Sequence, residues 1–511
     1  MKLKKIILAF IFSSFVFCFG VFIGEYSLLK FRKKTYILYE HLYPLFQSYL
    51  KRDNIPLLKI ELKESDLKKI KLKRSEGLLN NYLTHNKKDY VKAKFYWNND
   101  TLKGKLRLKG GFKDHYEDAK KWSFRVKLKN ESIKNTSSFS LQHPKTRNYL
   151  NEWIFQKYIQ HVNLIEIDYE FITVQINNEY LGVYAFEEGF SNKLLQKNDL
   201  PIAPIIKFNK GRFILDYKDL AKVEENNNWF DFSNDEYLNS KIEIYNDENF
   251  IDDSLFVMNF KKARELLDSY RKNEILASSV FDKKKMSKYI AAINIFSGFH
   301  GVNWNNMRFY FNPKTSKLEP ISYDSNSSYN LEISPSKTEQ LLLTRFLFND
   351  TSFFISYIKE LNYMANKSNF EKFFSSIREE LQQQENIVSS EFFNYDDYPS
   401  IIYKKTKIIN KVIKNTFISD VSGCLENNYI IVYNSNKFPV ELVRIEKDDS
   451  TVHKFSKNNI IFKKPYLTSP EKIKYDVPLN KFELSNKLYL IYKVVGRKEE
   501  KKVRIEYFLC E

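Results

Sequence analysis

Three groups of residues carry chemistry that a plain fold would not require. His300 and Gly301 are followed by Asn303, Asn305 and Asn306, and Asp324 stands ahead of Ser325 and Asn326 at the end of a returning strand pattern. An amide and a carboxylate brought to the open end of one hairpin offer hard oxygen ligands, the kind Mg²⁺ uses when it holds nucleotide phosphates. An Asx turn is the competing explanation of Asp324. His300 has no second His or Cys at metal spacing, so the group does not read as a zinc site. The second group is Arg107, Lys109, Gly110 and Gly111, followed by Lys120, Lys121, Arg125 and Lys127. A glycine turn between basic strands can set backbone N–H groups and ammonium groups around phosphates; basic strands that merely face water are the alternative. The third is Glu187-Glu188, an acid pair at a strand end, where such pairs are mostly surface caps.

The elements that must position these groups follow from hydrophobic period. Leu58, Ile60 and Leu62 alternate with polar residues, as do Val91–Trp97 and Lys105–Lys109, which predicts antiparallel strands with one wet face. Trp122, Phe124, Val126 and Leu128 oppose Ser123, Arg125 and Lys127 on one strand. Pro144 to Tyr158 reads as a loop entering a helix that carries Glu152. Phe171–Ile176 and Tyr180–Phe186 flank Asn177-Asn178, a hairpin signal. Phe256–Gly298 and residues 340–416 have helical spacing, and a second hairpin spans Met307–Phe311 and Leu318–Tyr323. The last ninety or so residues hold short strands between polar turns, consistent with a small β-sandwich. Cys424 and Cys510 bracket it, either bonded to each other or as two separate thiols.

Composition bounds the rest. The chain has 511 residues, 43% apolar and 28% charged, too apolar for a disordered chain, and its 13 Gly and 13 Pro exclude collagen-like or flexible low-complexity organisation. The net charge of +19 suits anionic partners without choosing among them: nucleotides, nucleic acid, anionic lipid or acidic polysaccharide. Lysines at 2, 4 and 5 precede an apolar run from Ile6 to Ile23, which at ~1.5 Å per residue reaches about 27 Å, close to a bilayer's hydrocarbon core. An uncleaved anchor is expected, with the bulk of the chain extracytoplasmic on a single-pass cell-membrane protein. No Gly-x-Ser-x-Gly elbow and no DNA-binding motif occurs.

Several ordered strings resemble the spore-coat kinase (CotH) family, particularly its exported, membrane-anchored bacterial members. They are Leu106-Arg-Leu-Lys-Gly110, Lys121-Trp-Ser-Phe-Arg-Val-Lys-Leu128, and Phe139-Ser-Leu-Gln-His-Pro through Leu150-Asn-Glu-Trp153. Gly182-Val-Tyr-Ala-Phe-Glu-Glu-Gly-Phe190 and Trp304-Asn-Asn-Met through Leu318-Glu-Pro-Ile-Ser-Tyr-Asp324 complete the set, within about 57 to 335. The resemblance implies an α+β, atypical protein-kinase-like two-lobed fold that binds ATP with Mg²⁺ or Mn²⁺ and phosphorylates an envelope or coat protein. It implies an N-lobe-like part at 54–212 and a helical C-lobe-like part at 213–420; the residues themselves predict an anchor at 1–24, a stalk at 25–53 and the β-sandwich-like domain at 421–511, which lies outside the resemblance. Carried over by motif, Lys109 and Gly110 cover the phosphates, Lys121 or Arg125 pairs with them, and Glu152 is that cation's helix partner. Glu188 lies near the nucleotide, Asn306 and Asp324 hold metal, and His300 stands where the chemistry occurs. Gly301, however, occupies the place of a kinase loop's catalytic Asp, five positions before Asn306. A catalytically inactive scaffold for envelope polysaccharide or coat assembly is therefore the alternative.

Overall fold

The computed structural model describes residues 55–129, 131–209, 229–245, 253–325, 341–392 and 398–415; towards the C-terminus it describes 421–426, 429–434, 440–455, 460–461, 473–476, 487–495 and 499–506. The alternating segments form seven strands: β1 (Leu57–Glu61), β2 (Val91–Trp97), β3 (Asp100–Leu108), β4 (Phe124–Leu128), β5 (Ser138–Gln142), β6 (Tyr169–Ile176) and β7 (Glu179–Glu188). They close into a barrel in the order β1-β2-β3-β4-β5-β7-β6. Every pairing is antiparallel except β1 with β6, which is parallel and sets Leu58 opposite Val174 and Ile60 opposite Ile176. Period-two alternation sends Leu58, Phe95, Leu106, Val126, Leu141 and Val174 into one apolar interior and the charged partners outward. Helix α1 (Glu64–Asn80) adds Ile70 to that interior.

This closed barrel overturns the expected atypical protein-kinase-like two-lobed fold. Closure depends on contacts that no local period encodes: Leu62 N–H donates to Asn177 Oδ1, 115 residues away, beside the parallel β1–β6 seam. The expected anchor at 1–24 and stalk at 25–53 lie outside the described residues. Among the described residues, no helix is long and apolar enough to cross a membrane.

A second, four-stranded sheet contains β8 (Ile205–Phe208), β9 (Ile242–Ile244), β10 (Arg308–Asn312) and β11 (Lys317–Ile321), ordered β11-β10-β8-β9. β8 and β10 are hydrogen-bonded neighbours, so one sheet spans the boundary expected at 212. Helix α3 (Ser254–Arg271) packs on β8, β9 and β10 and α4 (Lys283–Phe296) on β11; α2 (Leu150–His161) and α5 (Thr351–Met364) pack on α4, and α6 (Lys367–Ser376), α7 (Arg378–Ser389) and α8 (Tyr398–Asn415) complete the helical part. Asp253 and Asp350 accept from the first free N–H groups of α3 and α5, fixing where each begins. α4 is apolar nearly all round, from Ile290 to Phe296, and is accordingly buried.

The C-terminal strands are β12 (Val421–Glu426), β13 (Tyr429–Asn434), β14 (Val440–Lys447), β15 (Ser450–Lys454), β16 (Ile460–Ile461), β17 (Ile473–Asp476), β18 (Leu488–Val494) and β19 (Lys501–Glu506). They form one connected eight-stranded sheet and not the two separately bonded sheets of the expected sandwich, because β12 and β19 pair in parallel and join the halves. Cys424 is disulfide-bonded. Cys510 lies outside the described residues.

Candidate functional site

The exit of β3, the turn before α2, the end of β7 and the loop after β11 converge on one buried group of charges. Lys109 Nζ lies 2.5 Å from Glu187 Oε1, and Gln142 Nε2 donates to Glu187 Oε2 at 2.6 Å. Arg147 Nη2 lies 2.6 Å from Asp324 Oδ1, and His300 Nε2 faces Asp324 Oδ2 at 3.6 Å. Asn306 Nδ2 donates to His300 O at 3.0 Å, so the amide oxygen is the atom left for a ligand. The hairpin of β10 and β11 thus brings His300, Asn306 and Asp324 together, as their spacing predicts.

Backbone strain brackets the Arg147–Asp324 pair. Arg147 ends a short 3₁₀ turn, Pro144–Arg147, and the next two residues, Asn148 and Tyr149, have φ of 51° and 57°. Asp324 itself has φ of 54°. A bulky aromatic residue in that region is costly and persists only where its surroundings hold it, a condition that recurs at functional sites. Glu152, buried on α2, accepts from Gln156 Nε2 at 2.8 Å and from Ser325 N–H at 3.4 Å, and so ties α2 to the Asp324 loop.

Electrostatics sort the group. Burial alone would raise the Asp324 carboxyl, but Arg147, then His300 and Lys109, outweigh it and hold Asp324 well below the usual carboxylate range. Burial pushes Lys109 down against the pull of Glu187, with Arg147 and Arg125 adding repulsion. Burial raises Glu152. Arg125 donates to Ser140 Oγ at 2.9 Å and to Tyr245 Oη at 2.8 Å. The Arg308 guanidinium, opposite Lys207 across β10 and β8, lies over the rings of Tyr245 and Tyr323 at 5.4 and 5.6 Å. Although buried, Tyr245 is pulled below an ordinary phenol by Arg125, Arg308 and Lys207. Four buried cations, Lys109, Arg125, Arg147 and Arg308, therefore face three buried carboxylates, Glu152, Glu187 and Asp324, a small excess of positive charge that suits an anionic ligand.

No protein-family model matches the chain, and no curated protein matches it significantly. The site's chemistry must therefore be read from its own geometry.

That geometry redistributes several expected roles. Lys121 is not at the site: it precedes β4 outside the strand's alternation, lies 2.7 Å from Glu391 Oε1, and donates to Val183 O. Glu188 faces away from Lys109, because successive strand residues point to opposite faces; it accepts from Asp168 N–H and Lys197 Nζ, both at 2.9 Å. Glu187, and not Glu152, is the carboxylate paired with a buried cation of the site, Lys109. Gly110, at φ 80°, does sit beside the site, its carbonyl accepting from His85 Nε2 at 2.6 Å. Arg147 is the residue that sequence reasoning missed, and of the Glu187-Glu188 pair it assigned the site role to Glu188 where the geometry uses Glu187. A buried Lys109 demands a carboxylate, and that demand is the one signal that could have favoured Glu187.

The metal expectation can be tested on this donor set. Among the described residues, no group of three or more His, Cys, Asp or Glu could hold a metal ion. Asp324 Oδ1 is buried without a hydrogen bond, its contact with Arg147 being an ion pair. One carboxylate and one amide oxygen fit Mg²⁺ or Mn²⁺ of the kind that keeps its waters and is completed by substrate phosphates; they do not form an all-protein cage.

Proposed function

We propose that this chain is a phosphotransferase that binds ATP with Mg²⁺ or Mn²⁺ at the Arg147–Asp324 site and passes phosphate to a protein of the cell envelope or coat. The observation that carries the reading is the excess of buried cations around Asp324 and Glu187 beside an Asp–Asn oxygen pair. The reading rests on this residue chemistry and on the strings that resemble the spore-coat kinase family, with no kinase-like lobe invoked. The apolar run Ile6–Ile23 and the disulfide at Cys424 support an anchored, extracytoplasmic location.

Asp324 and Asn306 would hold the divalent ion, which when bound neutralises charge on the β- and γ-phosphates. Lys109 and Arg147 supply fixed positive charge for the phosphate oxygens, held ready by Glu187 and Asp324. In transfer, the acceptor hydroxyl oxygen bonds to the γ-phosphorus as the β–γ bridging bond breaks and its electron pair leaves with ADP. The hydroxyl proton passes to His300 Nδ1, the ring nitrogen turned away from Asp324.

The second reading, a catalytically inactive binding scaffold, draws on Gly301. A Cβ there would stand 3.0 Å from Tyr323 O and 3.1 Å from Ser325 Cα, so a side-chain base would need the Tyr323–Ser325 backbone to give way by a few tenths of an ångström. Incubating the full-length protein with γ-labelled ATP, Mn²⁺ and an envelope fraction separates the two readings. Label transfer that is lost in both Asp324→Asn and His300→Ala is expected of the enzyme; ATP binding without transfer would favour the scaffold.

A further inference from the structure

A second cationic surface lies on the outer wall of the barrel. The β2–β3 register sets Lys92 opposite Lys105 and Lys94 opposite Lys103, and the β3–β4 register sets Lys105 opposite Lys127. Lys129 N–H donates to Lys103 O at 2.9 Å, which extends the second row. Two rows of three lysines result, Lys92–Lys105–Lys127 and Lys94–Lys103–Lys129, with neighbours about 4.8 Å apart across strands and about 7 Å apart along them. They line a groove of about 780 Å³.

Like charges directly opposite one another destabilise a sheet, so such a ladder calls for a counter-charge. The protein supplies little. The acids lining the groove are Glu61 and Asp66. Glu61 is taken up by Lys94 at 3.5 Å and Tyr96 Oη, and Asp66 pairs with Lys69 at 3.1 Å. Among the described residues, the other five lysines have no ion-pair partner. Lys105 and Lys127 share the Tyr90 ring with Arg107, at 5.2 to 5.9 Å, which holds these charges close together.

We infer that this groove binds a linear acidic polymer whose carboxylates or phosphodiesters recur along a sugar or polyol backbone. Lysines are compact point charges on flexible stems and demand no planar, bidentate partner, which suits a repeating polyanion of variable conformation. The residues lining the groove include no aromatic, and the Tyr90 ring beside it is already taken by Lys105, Arg107 and Lys127, so bases find no free face to stack on, which separates this ligand from single-stranded nucleic acid. The outward positions of β3, from Lys103 through Lys105 and Arg107, lead to Lys109, so a polymer bound in the groove lies on the wall that ends at the charge group around Asp324. The groove itself does not depend on phosphate transfer.

The test is fluorescence anisotropy with the full-length protein in mild detergent and three labelled probes of equal charge: polygalacturonate, poly(glycerol phosphate) and a single-stranded oligodeoxynucleotide. Saturable binding of one or both non-nucleic polymers is expected, falling steeply with salt as bound counterions are released. The polymer preferred identifies the anionic group. Lys92→Glu/Lys105→Glu/Lys127→Glu should weaken binding by about tenfold or more. A charge-matched control, Lys261→Glu/Lys284→Glu/Lys372→Glu, at exposed positions outside the groove, should bind within about threefold of the unaltered protein, and Asp324→Asn should not alter affinity. If the groove triple variant fails to fold, the neutral Lys105→Gln replaces it, with a smaller loss of affinity and an unchanged or raised melting temperature expected. Equal losses in groove and control variants, or tighter binding of the oligonucleotide than of both other polymers, would overturn the inference.

Discussion

Lys109 and Glu187 form an ion pair that ties the exit of β3 to the end of β7, with Gln142 of β5 holding the other carboxylate oxygen. Both charged side chains are nearly withdrawn from solvent, and removing one partner from such a pair costs about 3–5 kcal/mol. Glu187→Ala should therefore lower stability in urea unfolding by that amount and weaken nucleotide binding. Glu188→Gln should leave nucleotide affinity unchanged, since Glu188 serves Lys197 and the Asp168 N–H on the opposite face. Equal losses of affinity in both variants would contradict the placement.

The Gly110 turn admits no Cβ. Its φ of 80° is left-handed, and an added Cβ would fall 1.8 Å from His115 Cδ2. Gly110→Ala should be strongly destabilising, and His115→Ala alone should also destabilise, because the ring is buried. Together they should be more stable than Gly110→Ala alone, since the second change removes the clash and leaves the backbone cost of about 1–2 kcal/mol plus the lost packing of the His115 ring. Additive losses in a double-mutant cycle would show that the loop meets His115 differently.

Acid stability should report His85. Burial first, then Arg107, lowers its pKa to about 4 from 6.5, while His115 and His143 are also lowered, chiefly by burial. Between about pH 6.5 and pH 4 the unfolded chain binds a proton that folded His85 refuses, so stability falls as pH falls through that window. Asp324, held low, keeps its contribution there and loses it only further into acid. His85→Gln retains a donor for Gly110 O and cannot titrate, so it should reduce the loss between pH 7 and 4.5 by about 2 kcal/mol. Identical pH dependence of the urea midpoint in both proteins would contradict this.

The strands, the Asn177 turn and the trio of His300, Asn306 and Asp324 were legible because each depends on period two or on a hairpin a few residues long. Barrel closure was not, since β1 meets β6 across more than a hundred residues and parallel pairing leaves no turn signal. The choice between Glu187 and Glu188 turns on which strand face meets the charges, and alternation labels faces without saying which one is used. Arg147 stands on an irregular turn with two left-handed residues, where no period operates. Lys121 drew its expected role from the family resemblance and not from the strand pattern, and it lies ahead of β4, paired with Glu391.

The most direct measurement is a calorimetric titration of Mg²⁺–ATP and Mn²⁺–ATP into the full-length protein, with Asp324→Asn and Lys109→Met alongside. Saturable binding is expected that needs the divalent ion and is abolished by Asp324→Asn. Lys109→Met should weaken it by about tenfold or more, the scale of one charge-assisted contact. Absence of binding by the folded protein with either metal, or binding that survives Asp324→Asn unchanged, would contradict a phosphate site at Asp324.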